Sequence, residues 1–270
     1  MPGSVTAMFS EPADFEAALR EGGCLSLLIL GRGQFWAQLT RVTLHSLRLL
    51  AVEEHQSRIV FVAAPTDMVI VALPIGNAAV PVRGRVGPHP GEIMILPPGG
   101  HLHVRTEDGL RRWGSIWIPV VELVQYSCTL TETPFALPPV AQRWRPPPSA
   151  RRRLRSLHAA AMRMAAIRPQ LLVNAQAAHG LEQQLIHALV ECLSTGSGEE
   201  STLIERGHRD VMVRFERLLQ ALPDHPDMTI REMCAALDVS ERLLSRLCAE
   251  HLGMRSTDYV RRRMSQVRRA

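Results

Sequence analysis

The sequence predicts an α+β multidomain chain: a β-rich amino-terminal half, then a helical hairpin, then an all-α carboxy-terminal unit. Three observations carry this prediction. Short β-branched or alternating runs fill residues 24–119 with Gly and Pro between them, two stripes of helical period lie between residues 150 and 193, and two short capped helical segments follow residue 228. At 270 residues the chain is also longer than one core usually serves.

In residues 12–21, Phe15, Ala18 and Leu19 recur at helical spacing and Gly22 with Gly23 stops the pattern, which predicts a short opening helix. Strands are predicted at 24–30, 35–43, 58–63, 67–73, 91–96, 101–105 and 113–119, with turn signals at Gly76, Gly87 and Pro97 to Gly100. Many short strands of this kind suggest a sandwich or barrel. The Pro-rich stretch 134–148 breaks any helix. After it, Leu154, Leu157, Ala161 and Met164 mark one amphipathic helix, and Leu181, Leu185, Ala188 and Cys192 mark a second, with Pro169 at the turn. Such a hairpin packs its stripe on the β domain or on a partner, and dimerisation is the role expected of it. Residues 194–202 are small, polar and Gly-containing, as flexible linkers are. The predicted divisions are 1–145 for the β domain, 146–195 for the hairpin, 196–202 for the linker and 203–270 for the last unit.

Composition narrows the chemistry. All 31 basic residues are Arg, so the lysine of a phosphate loop, a pyridoxal Schiff base or a kinase strand has no counterpart. No apolar run approaches the roughly 18 residues of a membrane span, so no membrane partner is expected. The start of the chain carries Glu11, Asp14 and Glu16 in place of a basic segment and apolar core, which favours a cytoplasmic location. Cysteines at 24, 128, 192, 234 and 248 form no C-x-x-C pair and are odd in number, so buried thiols are expected and a disulfide framework or zinc site is not. The net charge of +5 is unevenly placed: residues 242–270 hold eight Arg, including Arg268 and Arg269, against Glu250 and Asp258. A basic end on a near-neutral body is the electrostatic footprint of a polyanion partner.

The final unit carries the sharpest local pattern. A helical stripe on Val211, Phe215, Leu218, Leu219 and Leu222 ends at Pro223 and Pro226, Thr229 caps the helix IREMCAALD, and Ser240 caps ERLLSRLCAEHL, which Gly253 ends. Helix, short turn and second helix form a helix-turn-helix, a motif that lays its second helix in the major groove of double-stranded DNA. Cys234 is the small residue where the helices touch, Asp238 takes the turn where Gly is more usual, and Met233, Leu237, Val239, Leu244 and Leu247 face inward. The outer face then holds Ser240, Glu241, Arg242, Ser245, Arg246 and Ala249.

Residues 228–270 resemble the first helix-turn-helix and connecting helix of AraC/XylS transcriptional regulators, above all in VSERLLSRLCAEHLGM at 239–254 and in the basic helix that holds Tyr259, Arg261 and Arg262. The preceding plan of a cupin-like β domain, a helical hairpin and a linker is also similar to that family. The resemblance implies a homodimeric regulator that senses a small-molecule effector, with RNA polymerase as a further candidate partner and no cofactor or catalytic site. It places base reading on Arg242, Ser245 and Arg246, and backbone contacts on Ser240, Arg261 and Arg262. Family members carry a second such unit beyond a joining helix, whereas the sequence here runs to Ala270 within the segment that corresponds to that helix.

Two competing readings follow. His101 and His103 lie one residue apart after a Gly- and Pro-rich turn, as in metal-binding cupins, but the chain has no other His-x-His, so neither a metal nor a metal-cupin enzyme is expected. A shortened regulator that dimerises and binds DNA weakly is the second. Effector, operator and the choice between activation and repression are not encoded in any of these patterns.

Overall fold

A computed structural model describes residues 2–21, 23–75, 91–198, 202–221 and 228–267. Gly22, the turn signals at Gly76 and Gly87, the helix stops at Pro223 and Pro226, part of the linker (199–201) and Arg268 and Arg269 lie outside these residues. The strands are β1 (Gly3–Phe9), β2 (Cys24–Ile29), β3 (Ala37–Thr43), β4 (Arg48–Glu54), β5 (Arg58–Ala63), β6 (Met68–Pro74), β7 (Ile93–Leu96), β8 (His101–Thr106), β9 (Arg111–Pro119), β10 (Gln142–Arg145) and β11 (Ser197–Gly198). The helices are α1 (Pro12–Arg20), α2 (Val120–Thr131), α3 (Pro148–Ile167), α4 (Gln170–Val173), α5 (Ala175–Ser194), α6 (Leu203–Gln220), α7 (Ile230–Leu237), α8 (Glu241–Leu252) and α9 (Ser256–Val267). The fold is therefore mixed α and β, built on a large antiparallel sheet in the order β1-β3-β4-β9-β6-β7-β10-β11 and a three-stranded sheet in the order β2-β5-β8.

The elements stack in layers, and each strand sorts its side chains between them with period two. On one face of the large sheet, Leu49, Val69, Val71, Ile93, Ile95, Ile116 and Ile118 pack against Leu154, Ala161, Leu185, Ala188 and Cys192 of α3 and α5. The opposite face, with Leu39, Leu50 and Val52 at one end and Ile70, Met94, Leu96 and Trp117 at the other, meets the three-stranded sheet. Leu28 and Ile59 on the far side of that small sheet join a core with Met212, Phe215, Leu247 and Tyr259 of the last four helices. Strands enclosed on both faces need apolar residues at successive positions, which is why β7 reads IMIL and β6 reads MVIVALP without alternation.

The hairpin stripe is thus buried inside the chain, since Leu185 and Ala188 are fully enclosed against the large sheet. Four elements escape the sequence pattern for separate reasons. The strand β1 lies at the sheet edge and leaves Val5 and Met8 exposed, so it shows no apolar face. The run β4 ends in Glu53 and Glu54, and Glu54 is buried with a hydrogen bond from Trp113, a partner distant in the sequence. The helix α2 opens on two β-branched residues directly after β9, where the pattern reads as a continuing strand, and Glu132 ends it in the left-handed region at φ 60°. In the Pro-rich stretch, β10 pairs with both β7 and β11, so the predicted linker begins as ordered backbone. Its glycines serve close packing: a Cβ at Gly196 would lie 2.3 Å from Trp144 Nε1. Cys192, Cys234 and Cys248 are buried as expected, whereas Cys128 is exposed. Among the described residues no helix is long and apolar enough to cross a membrane.

One polar residue pins the hairpin to the large sheet. His158 of α3 is fully buried and its Nε2–H donates to the Leu50 carbonyl at 3.0 Å, with its ring seated where a Cβ on Gly114 would come within 2.6 Å. Burial holds its imidazole down at about 4. Between that value and the ordinary one of about 6.5 the unfolded chain binds the extra proton, so stability falls as pH drops through this window, by on the order of 3 kcal/mol for this group. We expect chemical unfolding of His158→Leu to start from a lower stability at pH 7.5 and to lose less between pH 6.5 and 4.5 than the parent. An unaltered slope would contradict the assignment.

Candidate nucleic-acid interface

Local rules build the last four helices. Thr202 and Glu205 form a reciprocal capping box at the start of α6, and Thr229 and Glu232 form another at α7. Asp238 ends α7 in the left-handed region at φ 56°, with its amide and that of Val239 donating to the Ala235 and Cys234 carbonyls. The Ser240 hydroxyl then accepts the Leu243 amide at 3.1 Å and starts α8, which Gly253 closes at φ 67°. Met233, Cys234 and Leu237 of α7 meet Leu244, Leu247 and Cys248 of α8 in one core with Phe215 and Tyr259. Val239 is half-buried at its edge.

This packing fixes where the sequence-predicted residues sit. Ser240, Arg242 and Arg246 are exposed and Ser245 is half-buried, all at or after the amino end of α8. Arg261 and Arg262 are exposed on α9. Among the described residues, Arg246 pairs with Glu250 at 4.0 Å and Arg261 with Asp258 at 3.8 Å, both at the limit of an ion pair and both in water. Exposed contacts of that length contribute little, so the guanidinium groups stay available. An extended cationic side chain flanked by a serine, on a helix whose opposite face is locked in a core, can donate bidentate hydrogen bonds to a base edge or to phosphate.

The same helices are docked on the three-stranded sheet, which the sequence did not foretell. His101, His103 and Arg105 alternate along β8 toward α6 and α8, while Leu102, Val104 and Thr106 point to the other side. The Arg105 Nη1 donates to the Leu252 carbonyl at 2.6 Å, satisfying the last turn of α8. On the opposite edge Gln266 Nε2 donates to the Leu27 carbonyl of β2 at 2.7 Å. At the centre the Glu216 carboxylate of α6 accepts from the Tyr259 hydroxyl and pairs with His103 Nε2 at 3.1 Å, all three buried. Burial pushes that carboxyl up, but His103, the Arg263 charge and the Tyr259 hydroxyl outweigh it and hold it below the usual carboxylate range. Burial, reinforced by the charges of His103, Arg209 and His208, lowers His251 to about 4. The docking engages the carboxy end of α8 and leaves its amino end outward.

His101 and His103 therefore face a helix. Both rings stack on Phe61, at centroid distances of 5.6 and 4.6 Å. A different cluster, His45, His179 and Glu182, gathers where the turn between β3 and β4 meets α5. There the Glu182 carboxylate accepts the Ser46 and Leu47 amides at 2.7 and 2.9 Å and pairs with His45 Nδ1 at 3.1 Å, tying hairpin to sheet. His179 and Glu182 are one helical turn apart, but His45 lies 137 residues before Glu182, too far for spacing to reveal the cluster. Glu216 left a faint signal, a carboxylate one turn after Met212 and one turn before Leu219 on the apolar stripe of α6.

Replacing His103 by Leu strands part of a buried carboxylate. We expect a loss of about 1 to 3 kcal/mol in unfolding free energy, the usual cost of an unsatisfied buried group. Amide exchange should quicken in β8 and α6 while β1 and β3 keep their protection, as measured by mass spectrometry, and unchanged exchange at the contact would contradict this role.

Comparison of the chain with protein-family models and with curated proteins finds no match in either set.

Proposed function

We propose that this chain is a sequence-specific DNA-binding transcriptional regulator of the AraC/XylS type, with α7 and α8 as its helix-turn-helix and the cupin-like β domain as its sensor. The observation that carries the proposal is the pair of exposed arginines Arg242 and Arg246 on α8, with the half-buried Ser245 beside them, directly after a tight turn that a single left-handed residue makes at Asp238. Arg242 and Arg246 read guanine edges and Ser245 packs between them. Ser240, at the amino end of α8, and Arg261 and Arg262 on α9 hold the phosphate backbone. The eight arginines from residue 242 onward supply the sequence-independent attraction.

One recognition helix covers only a few base pairs, so the proposal includes pairing of two chains on half-sites about one helical turn, or a multiple, apart. With Leu185 enclosed, the apolar groups left for that contact on the hairpin are Ile167, Leu171 and Val173 at its turn, all exposed.

We expect Arg246→Ala to weaken binding to a preferred site by about 1 to 3 kcal/mol and to lose far less on a scrambled duplex, as a base contact does. Equal losses on both would make it a phosphate contact. For Arg261→Ala combined with Arg262→Ala, the slope of log affinity against log salt should shrink by about 2 on every sequence. A slope identical to that of the parent would remove both residues from the interface.

A further inference from the structure

Between the two sheets lies a cavity of about 110 Å³ that no residue above uses. Its walls are almost wholly apolar, with Val60, Val62, Ile70, Leu102 and Trp117 among them. A space on the order of 150 Å³ with such walls stays dry and holds a benzene-sized molecule. The scale therefore suits a single ring with a short substituent, the remainder of which reaches the half-buried Arg111 and Trp113 at the rim.

One corner of this cavity is polar and incomplete. Arg58, 2% exposed, uses Nε and Nη2 on the Glu54 carboxylate, each at 2.6 Å, and Trp113 Nε1 donates to the same carboxylate at 2.9 Å. Its Nη1 has no hydrogen-bond partner. Directly across the β5–β8 ladder from Arg58 is Thr106, also 2% exposed, whose Oγ1 has no partner either. Leaving buried donors unmade is costly, and an isolated polar group in a dry core is rare in folded proteins. Arg58 and Thr106 oppose each other across the ladder and both residues border this one cavity, so their two unmade bonds mark a place where something else completes them.

We propose that this cavity binds an uncharged, ring-sized apolar molecule through a carbonyl oxygen that accepts from Arg58 Nη1 and Thr106 Oγ1. The guanidinium has only donors to offer, so the ligand must supply an acceptor. Glu54 already neutralises Arg58 in a bidentate pair, so a carboxylate ligand would bring an unbalanced negative charge into an apolar chamber, which a ketone, ester or amide carbonyl does not. Because Val104 and Thr106 share β8 with His103 and Arg105, the ligand would press on the strand that carries the last four helices. The inference deepens the sensor part of the regulator reading, and its test needs no DNA, so either can fail alone.

Three nearly isosteric probes separate the chemistry: acetophenone, α-methylstyrene, in which C=CH₂ replaces the carbonyl, and benzoate. Titration calorimetry of the full chain at pH 7.5 should show acetophenone binding at least tenfold more tightly than either of the others. In Thr106→Val, which keeps the shape of the wall, acetophenone should weaken by about three- to tenfold while α-methylstyrene does not weaken, with near-UV circular dichroism confirming an intact core. Equal affinity for acetophenone and α-methylstyrene would overturn the polar corner, tighter binding of benzoate would overturn the neutral class, and no binding of any probe by the folded chain would overturn the site.

Discussion

The three-stranded sheet β2-β5-β8 is buried on both faces, and the rest of the arrangement follows from that enclosure. A strand offers successive side chains to opposite sides, so a wall two chambers share must satisfy two different environments in one short sequence. In β8 the sorting is complete: Leu102, Val104 and Thr106 line the inner cavity, and His101, His103 and Arg105 meet α6 and α8. In β5, Arg58, Val60 and Val62 line the cavity while Ile59 enters the core of the last helices. A register slip of one residue would put Arg105 in the apolar chamber and Val104 against Glu216, which is why this sheet tolerates no alternative pairing.

The shared wall also explains the polar groups that looked out of place. Glu216 is costly to bury, yet with Tyr259 from its own unit and His103 from the sheet it makes the contact between the units specific in position, where Leu28, Ile59 and Phe215 supply area without direction. Arg105 and Gln266 satisfy backbone carbonyls at opposite edges of the same contact. Arg58 and Glu54 play the matching part inside. Displacing either set displaces the backbone of β5 or β8, and that backbone is common to both. This is the physical route by which occupancy of the cavity would alter the pose of α8, since packed walls shift as units.

Much of the carboxy-terminal unit was legible because its signals are local. Thr229, Asp238, Ser240 and Gly253 act within a few residues of themselves, and each stands where its sequence position assigned it. The exposure of Arg242 and Arg246 followed from the spacing of Leu244 and Leu247. What stayed hidden depends on distant partners. The β1 edge, the Trp113–Glu54 bond across 59 residues, and the His103–Glu216 contact across 113 residues carry no nearby signal. The hairpin stripe was visible, but period alone does not say what it packs on, and the large sheet took it. Gly196 and Gly198 sit in a composition typical of flexible linkers, yet their lack of a side chain admits Trp144.

Whether α8 reads DNA is the claim on which the functional account turns. Selection of duplexes from a random-sequence pool by the full chain, at physiological salt, tests it most directly. The account expects enrichment of a defined motif, with related half-sites about one helical turn or a multiple apart, and loss of that motif when Arg242 and Arg246 are both replaced by Ala. Recovery of no motif by the folded parent, or of the same motif by the double variant, would contradict it.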